Sequence, residues 1–294
     1  MNKQLIIVDG HAVLHRAFHA LPALTAPGGQ PTGAVYGFFK MIFKLWADFS
    51  PDYFLVALDA PGPNFRHEKF VGYQAKRPKT DPKLASQIGL VREILNRAKI
   101  ANKQKTGFEA DDVIGTVAKR VSKKLPVLIV TGDRDLMQLV DERINLFLPR
   151  NGLSGGQIVD SVFVKKDLGI KPGQVVDYKG LVGDNSDNYP GALGIGPKTG
   201  VKLLNCFGTL GAIYDNLAKI DSCAIREKLV SYQDDVFLSA DLAKINCQVP
   251  IKVDLTNYRL DRVNAQELKS AFSSLGFRSL MADLERKNEQ MNLF

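Results

Sequence analysis

Leu5-Ile6-Ile7-Val8-Asp9 sets a pattern that returns twice, at Phe54–Leu58 before Asp59 and at Val127–Val130 before Thr131-Gly132-Asp133. Short apolar runs of this kind, separated by stretches with helical periodicity, predict buried strands of a mostly parallel sheet. Ligands of such sheets bind at the carboxyl ends of the strands, so the three aspartates should share one edge. The intervening segments support this. Leu84, Ile88, Val91 and Leu95 recur at helical spacing within Lys83–Arg97, as do Ala110, Val113, Ile114, Val117 and Val121 further on. Between the second and third strands, residues 65–82 are rich in Lys, Arg, Gly and Pro and should protrude as a weakly ordered segment. Beyond Pro172 strand signals fade into short helical stretches separated by glycines. The expected organisation is an α/β domain over residues 1–169 with a basic arch at about 65–105. A helical region over 170–280 with a glycine hairpin at 191–200 follows, then a tail over 281–294.

Composition narrows the class. The 294 residues are 45% hydrophobic and 24% charged, which suits a globular core. No run approaches the roughly 20 apolar residues of a membrane span, and the N-terminus lacks the apolar stretch of a signal peptide. A cytoplasmic, monomeric protein is expected. Cys206, Cys223 and Cys247 are odd in number and widely spaced, which argues against a disulfide framework or a zinc site. The formal charge is +8, yet nine of the 31 acidic residues fall in a few clusters; without them 22 remain against 39 basic ones. A basic body around an acidic pocket fits a bound polyanion with metal ions in the pocket.

Those nine are Asp9, Asp59, Glu109, Asp111, Asp112, Asp133, Asp135, Asp184 and Asp187. Each has a plain alternative reading: Thr106 and Glu109 have capping-box spacing, and acids in a first helical turn favour the dipole. Their conjunction is different, because several carboxylates on one sheet edge push one another's pKa upward unless cations intervene. Mg²⁺ takes oxygen ligands and keeps several waters, so nine acids suffice for two ions about 4 Å apart, the arrangement used for phosphodiester cleavage. Directly after Gly183-Asp184-Asn185-Ser186-Asp187-Asn188 comes Gly191-Ala192-Leu193-Gly194-Ile195-Gly196-Pro197-Lys198-Thr199-Gly200. Its backbone N–H groups at a helix start, with Lys198 and Lys202, can grip phosphate. In the basic segment, Arg66, His67, Lys69, Lys76, Arg77 and Lys79 alternate with Phe65, Phe70 and Tyr73, a composition suited to single-stranded nucleic acid.

These motifs resemble an ordered set of blocks. VDGHAVLHRAFHAL (8–21), LDAPGPNFRHE (58–68), GFEADDVIGTVAKR (107–120), TGDRDLMQLV (131–140) and GDNSDNYPGALGIGPKTGVKLL (183–204) are similar to those of the 5′→3′ exonuclease domain of bacterial DNA polymerase I, within the flap endonuclease family. The resemblance runs from about Leu5 to Leu280. It implies a PIN-like α/β fold with a helix-hairpin-helix-like motif, and hydrolysis of DNA near a nick, 5′ end or 5′ flap in replication or repair, leaving 5′-phosphate and 3′-hydroxyl. It also implies a first Mg²⁺ on Asp9, Asp59, Glu109 and Asp111, with Asp112 nearby. Asp133 would lie between the metals, and a second ion would sit on Asp135, Asp184 and Asp187, Mn²⁺ being able to substitute. A K⁺ ion would sit on carbonyls of the hairpin. His15, Arg66, Lys76, Arg77, Gly194, Gly196, Lys198, Thr199 and Lys202 would contact DNA, and Arg66 and Arg77 would help neutralise the phosphate. Two departures stand out: His15 replaces the usual tyrosine, and Gln74 the usual lysine, whose charge Lys76 would partly replace.

The rival readings are an RNA nuclease of PIN type, a catalytically silent DNA-binding scaffold, and an aspartyl phosphatase. Asp9-Gly10-His11 lacks the second aspartate that the last requires. Nothing after Leu280 resembles a proofreading or polymerase domain, implying a free-standing or excised nuclease. The ending Gln290-Met291-Asn292-Leu293-Phe294 resembles a bacterial sliding-clamp-binding pentapeptide, in which Gln290 would hydrogen-bond and Met291, Leu293 and Phe294 would serve as apolar anchors.

Overall fold

The computed structural model describes residues 3–150 and 155–291. Leu293 and Phe294 of the expected clamp-binding ending lie outside the described residues, as do the side chains of Gln290 and Met291. The strands are β1 (Leu5–Asp9), β2 (Tyr53–Ala57), β3 (Asn102–Lys103), β4 (Val127–Val130), β5 (Ile144–Arg150) and β6 (Gly155–Val159). They form one sheet in the order β3-β2-β1-β4-β5-β6, parallel throughout except for the antiparallel β5–β6 pair. The three predicted strands are its centre. Their residues alternate between two cores: Ile6, Val8, Phe54, Val56, Leu128 and Val130 face one layer of helices, and Leu5, Ile7, Leu55, Ala57, Val127 and Ile129 the other. Both faces are therefore covered, which explains apolar runs in place of the alternation of a half-exposed sheet.

The helices are α1 (Gly10–Ala20), α2 (Gly33–Phe49), α3 (Phe65–Lys69), α4 (Pro82–Arg97), α5 (Ala110–Val121), α6 (Ser161–Leu168), α7 (Val175–Val182), α8 (Pro197–Phe207), α9 (Leu210–Asp215), α10 (Cys223–Ser231), α11 (Gln233–Ala243), α12 (Ala265–Ser274) and α13 (Arg278–Met291). Local chemistry sets their starts. Asp81 caps α4 by accepting from Lys83 N at 2.7 Å, with Pro82 in the first turn where its missing N–H costs nothing. The predicted apolar stripe of α5 is buried along its whole length.

Three expectations change. At the start of α5 the cap is Glu109, whose backbone N–H donates to Asp112 at 3.1 Å, so Thr106 does not close the box. The segment 65–82 is ordered at its base: Phe65–Lys69 is helical, Arg66 is 2% exposed and Tyr73 is 4% exposed. Burial of Arg66 and Tyr73 is hidden by the basic composition of the segment, because Arg66 is neutralised inside the protein. Finally, the helical region does not run unbroken to residue 280. Leu268, Phe272, Leu280 and Leu284 of α12 and α13 return to the first core, among α2 and α4 residues. The C-terminal helices α7–α11 form a separate helical layer that meets the sheet at its acidic edge, through Arg66 to the end of α11 and Lys179 of α7 to Asp135.

Candidate functional site

At the carboxyl end of β1, Asp9 is 5% exposed; it accepts from Ala12 N at 3.0 Å, capping α1, and from Thr131 Oγ1 at 2.8 Å. Thr131 thereby ties β1 to the turn after β4, and its hydroxyl also accepts from Asp133 N at 2.9 Å. Asp133 in turn accepts from Asp135 N at 2.8 Å. Asp59, beyond β2, accepts from Ala110 N at 2.7 Å, which docks the start of α5 on the edge. The predicted convergence of these strand ends is present in the structure.

Electrostatics shows how tightly the acids are gathered. Burial, followed by the charges of Asp59 and Asp133, pushes Asp9 up to about 7. Burial and then Asp133, Asp9, Glu109 and Asp59 raise Asp111 well above the usual carboxylate range. Burial raises Glu109 to about 7 despite Arg66, and Asp135 to about 6 with Asp133 beside it. Asp187 is also raised, by burial first, against the pull of Arg77. A set of oxygen donors that cannot all ionise comfortably matches a hard divalent cation. As they stand Glu109, Asp112, Asp135, Asp184 and Asp187 are paired with resident cations, and among the described residues no three acidic, histidine or cysteine side chains are arranged to hold an ion.

Three cations hold them. Arg66 forms a bidentate pair with Asp112 at 2.8 Å for both bonds, reaches Glu109 at 2.9 Å, and donates to the carbonyls of Leu242 and Lys244 at 2.8 and 2.9 Å. Asp112 is fully buried and also accepts from Asn246 N at 2.8 Å. Both residues thus depart from expectation: Arg66 is no arch cation facing DNA, and Asp112, its lone pairs taken by protein donors, is a structural partner of Arg66. Arg77 does line the open cleft of about 790 Å³ above the acids, with Asp133, Asp135, Asp184 and Asp187, and is ion-paired to Asp187. Gln74 donates to Glu109 at 3.1 Å, in place of the charge a lysine would bring. Lys76 is exposed. His15 lines the cleft and packs at a tilt of 58° against His19 with ring centroids 4.5 Å apart; burial and then His19 lower its pKa.

Lys179 was not anticipated. It reaches from α7 to Asp135 at 2.6 Å and also pairs with Asp184. The signal was present, since Lys179 is the single charged residue close to the Gly183-Asp184 turn in an otherwise apolar stretch, Tyr178 to Gly183.

Asp184 and Asp187 are placed by a loop closed on itself. Asp184 N donates to Tyr189 O at 2.9 Å and Tyr189 N returns to Asp184 O at 3.1 Å. At its neck Gly183 and Gly191, with φ of 71° and 60°, cross so closely that a Cβ on Gly191 would lie 2.3 Å from Gly183 N. The hairpin continues from that neck. Gly194, Gly196, Lys198 and Lys202 are exposed, Thr199 is half-buried, and Gly196 caps α8. Lys228 of α10, also missed in the sequence, donates to Gly194 O at 3.3 Å, the kind of carbonyl a K⁺ ion would use.

A doubly covered parallel sheet with an acidic carboxyl edge, closed there by a SAM-like helical domain, defines the architecture of the 5′ nucleases. The chain belongs to the 5′-3′ exonuclease family: residues 4–169 match its N-terminal resolvase-like domain and residues 170–266 its C-terminal SAM fold. It is 36% identical to DNA polymerase I of Bacillus subtilis (strain 168) over 96% of this chain and 32% of that protein. To DNA polymerase I of Caldicellulosiruptor bescii it is 40% identical, over 96% of this chain and 33% of that protein. The chain therefore spans about a third of the length of these relatives. Among solved structures, the bacteriophage T5 flap endonuclease in complex with DNA and metal ions aligns with a TM-score of 0.70 at 18% identity, covering 98% of both chains. The catalytic core of Rad2 in complex with DNA substrate aligns with a TM-score of 0.64 at 19% identity, covering 100% of this chain and 93% of that one. These likenesses establish the fold.

Proposed function

We propose that this chain is a divalent-metal-dependent, structure-specific 5′ nuclease that hydrolyses DNA phosphodiesters near a 5′ end, nick or 5′ flap, leaving 5′-phosphate and 3′-hydroxyl. The observation that carries it is a run of neighbouring carboxylates, Asp9, Asp59, Glu109 and Asp111 beside Asp133, adjoining a cleft lined by Asp133, Asp135, Asp184 and Asp187. Asp9, Asp59, Glu109 and Asp111 would hold one ion and Asp135, Asp184 and Asp187 a second, with Asp133 between them. Bound Mg²⁺, or Mn²⁺ in its place, would make hydroxide available and offset charge on the leaving oxygen. The protein's own part is positional. Thr131 fixes Asp9 and Asp133, Arg66 and Asn64 orient Glu109, and the backbone N–H groups at Gly194–Thr199 with Lys198 and Lys202 would hold duplex phosphates irrespective of sequence. Arg77, Lys76 and His15 would meet the strand that bears the 5′ end. At Gly194 a K⁺ ion would have to displace Lys228.

Residues 1–169 would form the catalytic part, with the arch at about 65–105, and within residues 170–280 the helices α7–α11 would carry the duplex grip, since α12 and α13 return to the first core. A monomer is sufficient for this arrangement, and among the described residues no helix is long and apolar enough to cross a membrane. The ending Gln290–Phe294 would hold a sliding clamp. Titrating Mg²⁺ against a labelled 5′-flap DNA, a nicked duplex and an RNA hairpin tests the reading. Cleavage of the flap with little of the hairpin is expected; preferential cutting of the RNA would favour a PIN-type RNA nuclease, and binding without cutting a silent scaffold.

A further inference from the structure

The ammonium of Lys179 stands between two carboxylates assigned above to the second metal. It lies 2.6 Å from Asp135 and is hydrogen-bonded to Asp184, with all three side chains less than a fifth exposed. A divalent ion bound to Asp135 and Asp184 would need the same oxygens, and an ammonium within hydrogen-bonding distance of those oxygens would repel it. The stem of Lys179 is fixed, because α7 packs against α11: a Cβ on the adjacent Gly180 would lie 2.8 Å from Ala240 Cβ and 3.0 Å from Val236 O. Its head is not, since four rotatable bonds carry it and it already lines the open cleft. The same cleft is where a phosphodiester must lie for Asp133 and Asp135 to act on it.

We propose that Lys179 is a built-in counter-ion of Asp135 and Asp184, displaced when a divalent cation binds there and then turned into the cleft as a ligand of the substrate phosphate. Before metal loading it keeps two acidic side chains from repelling each other. After loading, its positive charge passes from carboxylate to phosphate, so metal occupancy and DNA affinity rise together. Lys179 is in these terms a positioning residue before loading and a substrate-binding one after it. The inference rests on the nuclease reading above, specifically on Asp135 and Asp184 as metal ligands.

The test separates the two halves. Mn²⁺ is titrated into DNA-free wild type, Lys179→Ala and Lys179→Met, the methionine preserving the packed stem, and free Mn²⁺ is followed by electron paramagnetic resonance; circular dichroism checks that each variant is folded. One site should tighten by about tenfold in both variants, because a like charge next to the metal has gone. With Ca²⁺ in place of Mg²⁺, fluorescence anisotropy on a 5′-flap DNA should show the opposite: affinity about tenfold weaker and a salt slope shallower by about one unit. Variants that bind Mn²⁺ no more tightly than wild type overturn the counter-ion role. Tighter Mn²⁺ with unchanged DNA binding overturns the transfer to phosphate. A wild type that takes up no Mn²⁺ refutes the nuclease reading and this inference with it.

Discussion

Charge, more than shape, distinguishes the residues of this site, and that sets the first two expectations. Asp133→Asn can keep the hydrogen bond that the side chain accepts from Asp135 N and removes only the negative charge proposed to lie between two metal ions. Single-turnover cleavage of a flap substrate should fall by at least about 10³-fold, on the order of 4 kcal/mol in the barrier, while flap affinity stays within about threefold; near-normal cutting would unseat the metal assignment. The second follows from the raised carboxylates. Asp9 and Glu109 at about 7, and Asp135 at about 6, bind protons in the folded chain that the unfolded chain has already released. Their contribution is complete below the unfolded value near 4 and is lost as pH rises through 6 to 7. Asp184, held low by Lys179 and Ser186 against the effect of burial, loses its contribution only in strong acid, outside this window. In EDTA the melting temperature should therefore drop by about 5 °C or more between pH 5 and pH 8, and Mg²⁺ should restore it at pH 8. A melting temperature that rises over that range would show the acids to be ionised without help.

Between elements, Arg66 ties three together: α3, the start of α5 and the end of α11. Arg66→Met strands the fully buried Asp112, so the urea midpoint should fall by the equivalent of about 3 to 5 kcal/mol, and Arg66→Lys should recover little because a point charge cannot replace the planar fork. If Arg66→Met instead unfolds at the wild-type midpoint, the residue belongs to the substrate surface after all. This element also marks the limit of what could be read in advance. The strands β1, β2 and β4 and the helices α4 and α5 were legible because a sheet buried on both faces and a helix buried on one impose different spacings on apolar residues. The acids at strand ends were legible for the same reason, since the end of a strand is fixed once the strand is. A cation's destination was not legible: Arg66, Lys69, Lys76 and Arg77 look alike in sequence, yet the first is buried on Asp112 and the last lines the cleft. Nor could spacing show that α12 and α13 return to α2 and α4, since their apolar faces would suit either core.

Across the whole molecule, the proposed function places the grip on duplex and the grip on the cut strand in different parts of the chain. Lys198→Ala and Lys202→Ala, on the exposed side of the hairpin, should weaken binding of every duplex sequence alike and flatten the salt dependence by up to about one unit each. Altered sequence preference at an unchanged slope would mean base contacts. Deleting Gln290–Phe294 should abolish binding to purified sliding clamp in a titration and leave flap cleavage on free oligonucleotides unchanged; equal clamp affinity with and without the ending would remove it from the interface. Arg66 has one more implication at this scale. Its links to the SAM-like domain end on the carbonyl oxygens of Leu242 and Lys244, atoms that every amino acid supplies. The joint between the sheet and the SAM-like helices is, at this contact, therefore written on one side only. Positions 242 and 244 are free to drift in identity under this contact without any compensating change at 66, so the contact would leave no pairwise covariation across a family alignment.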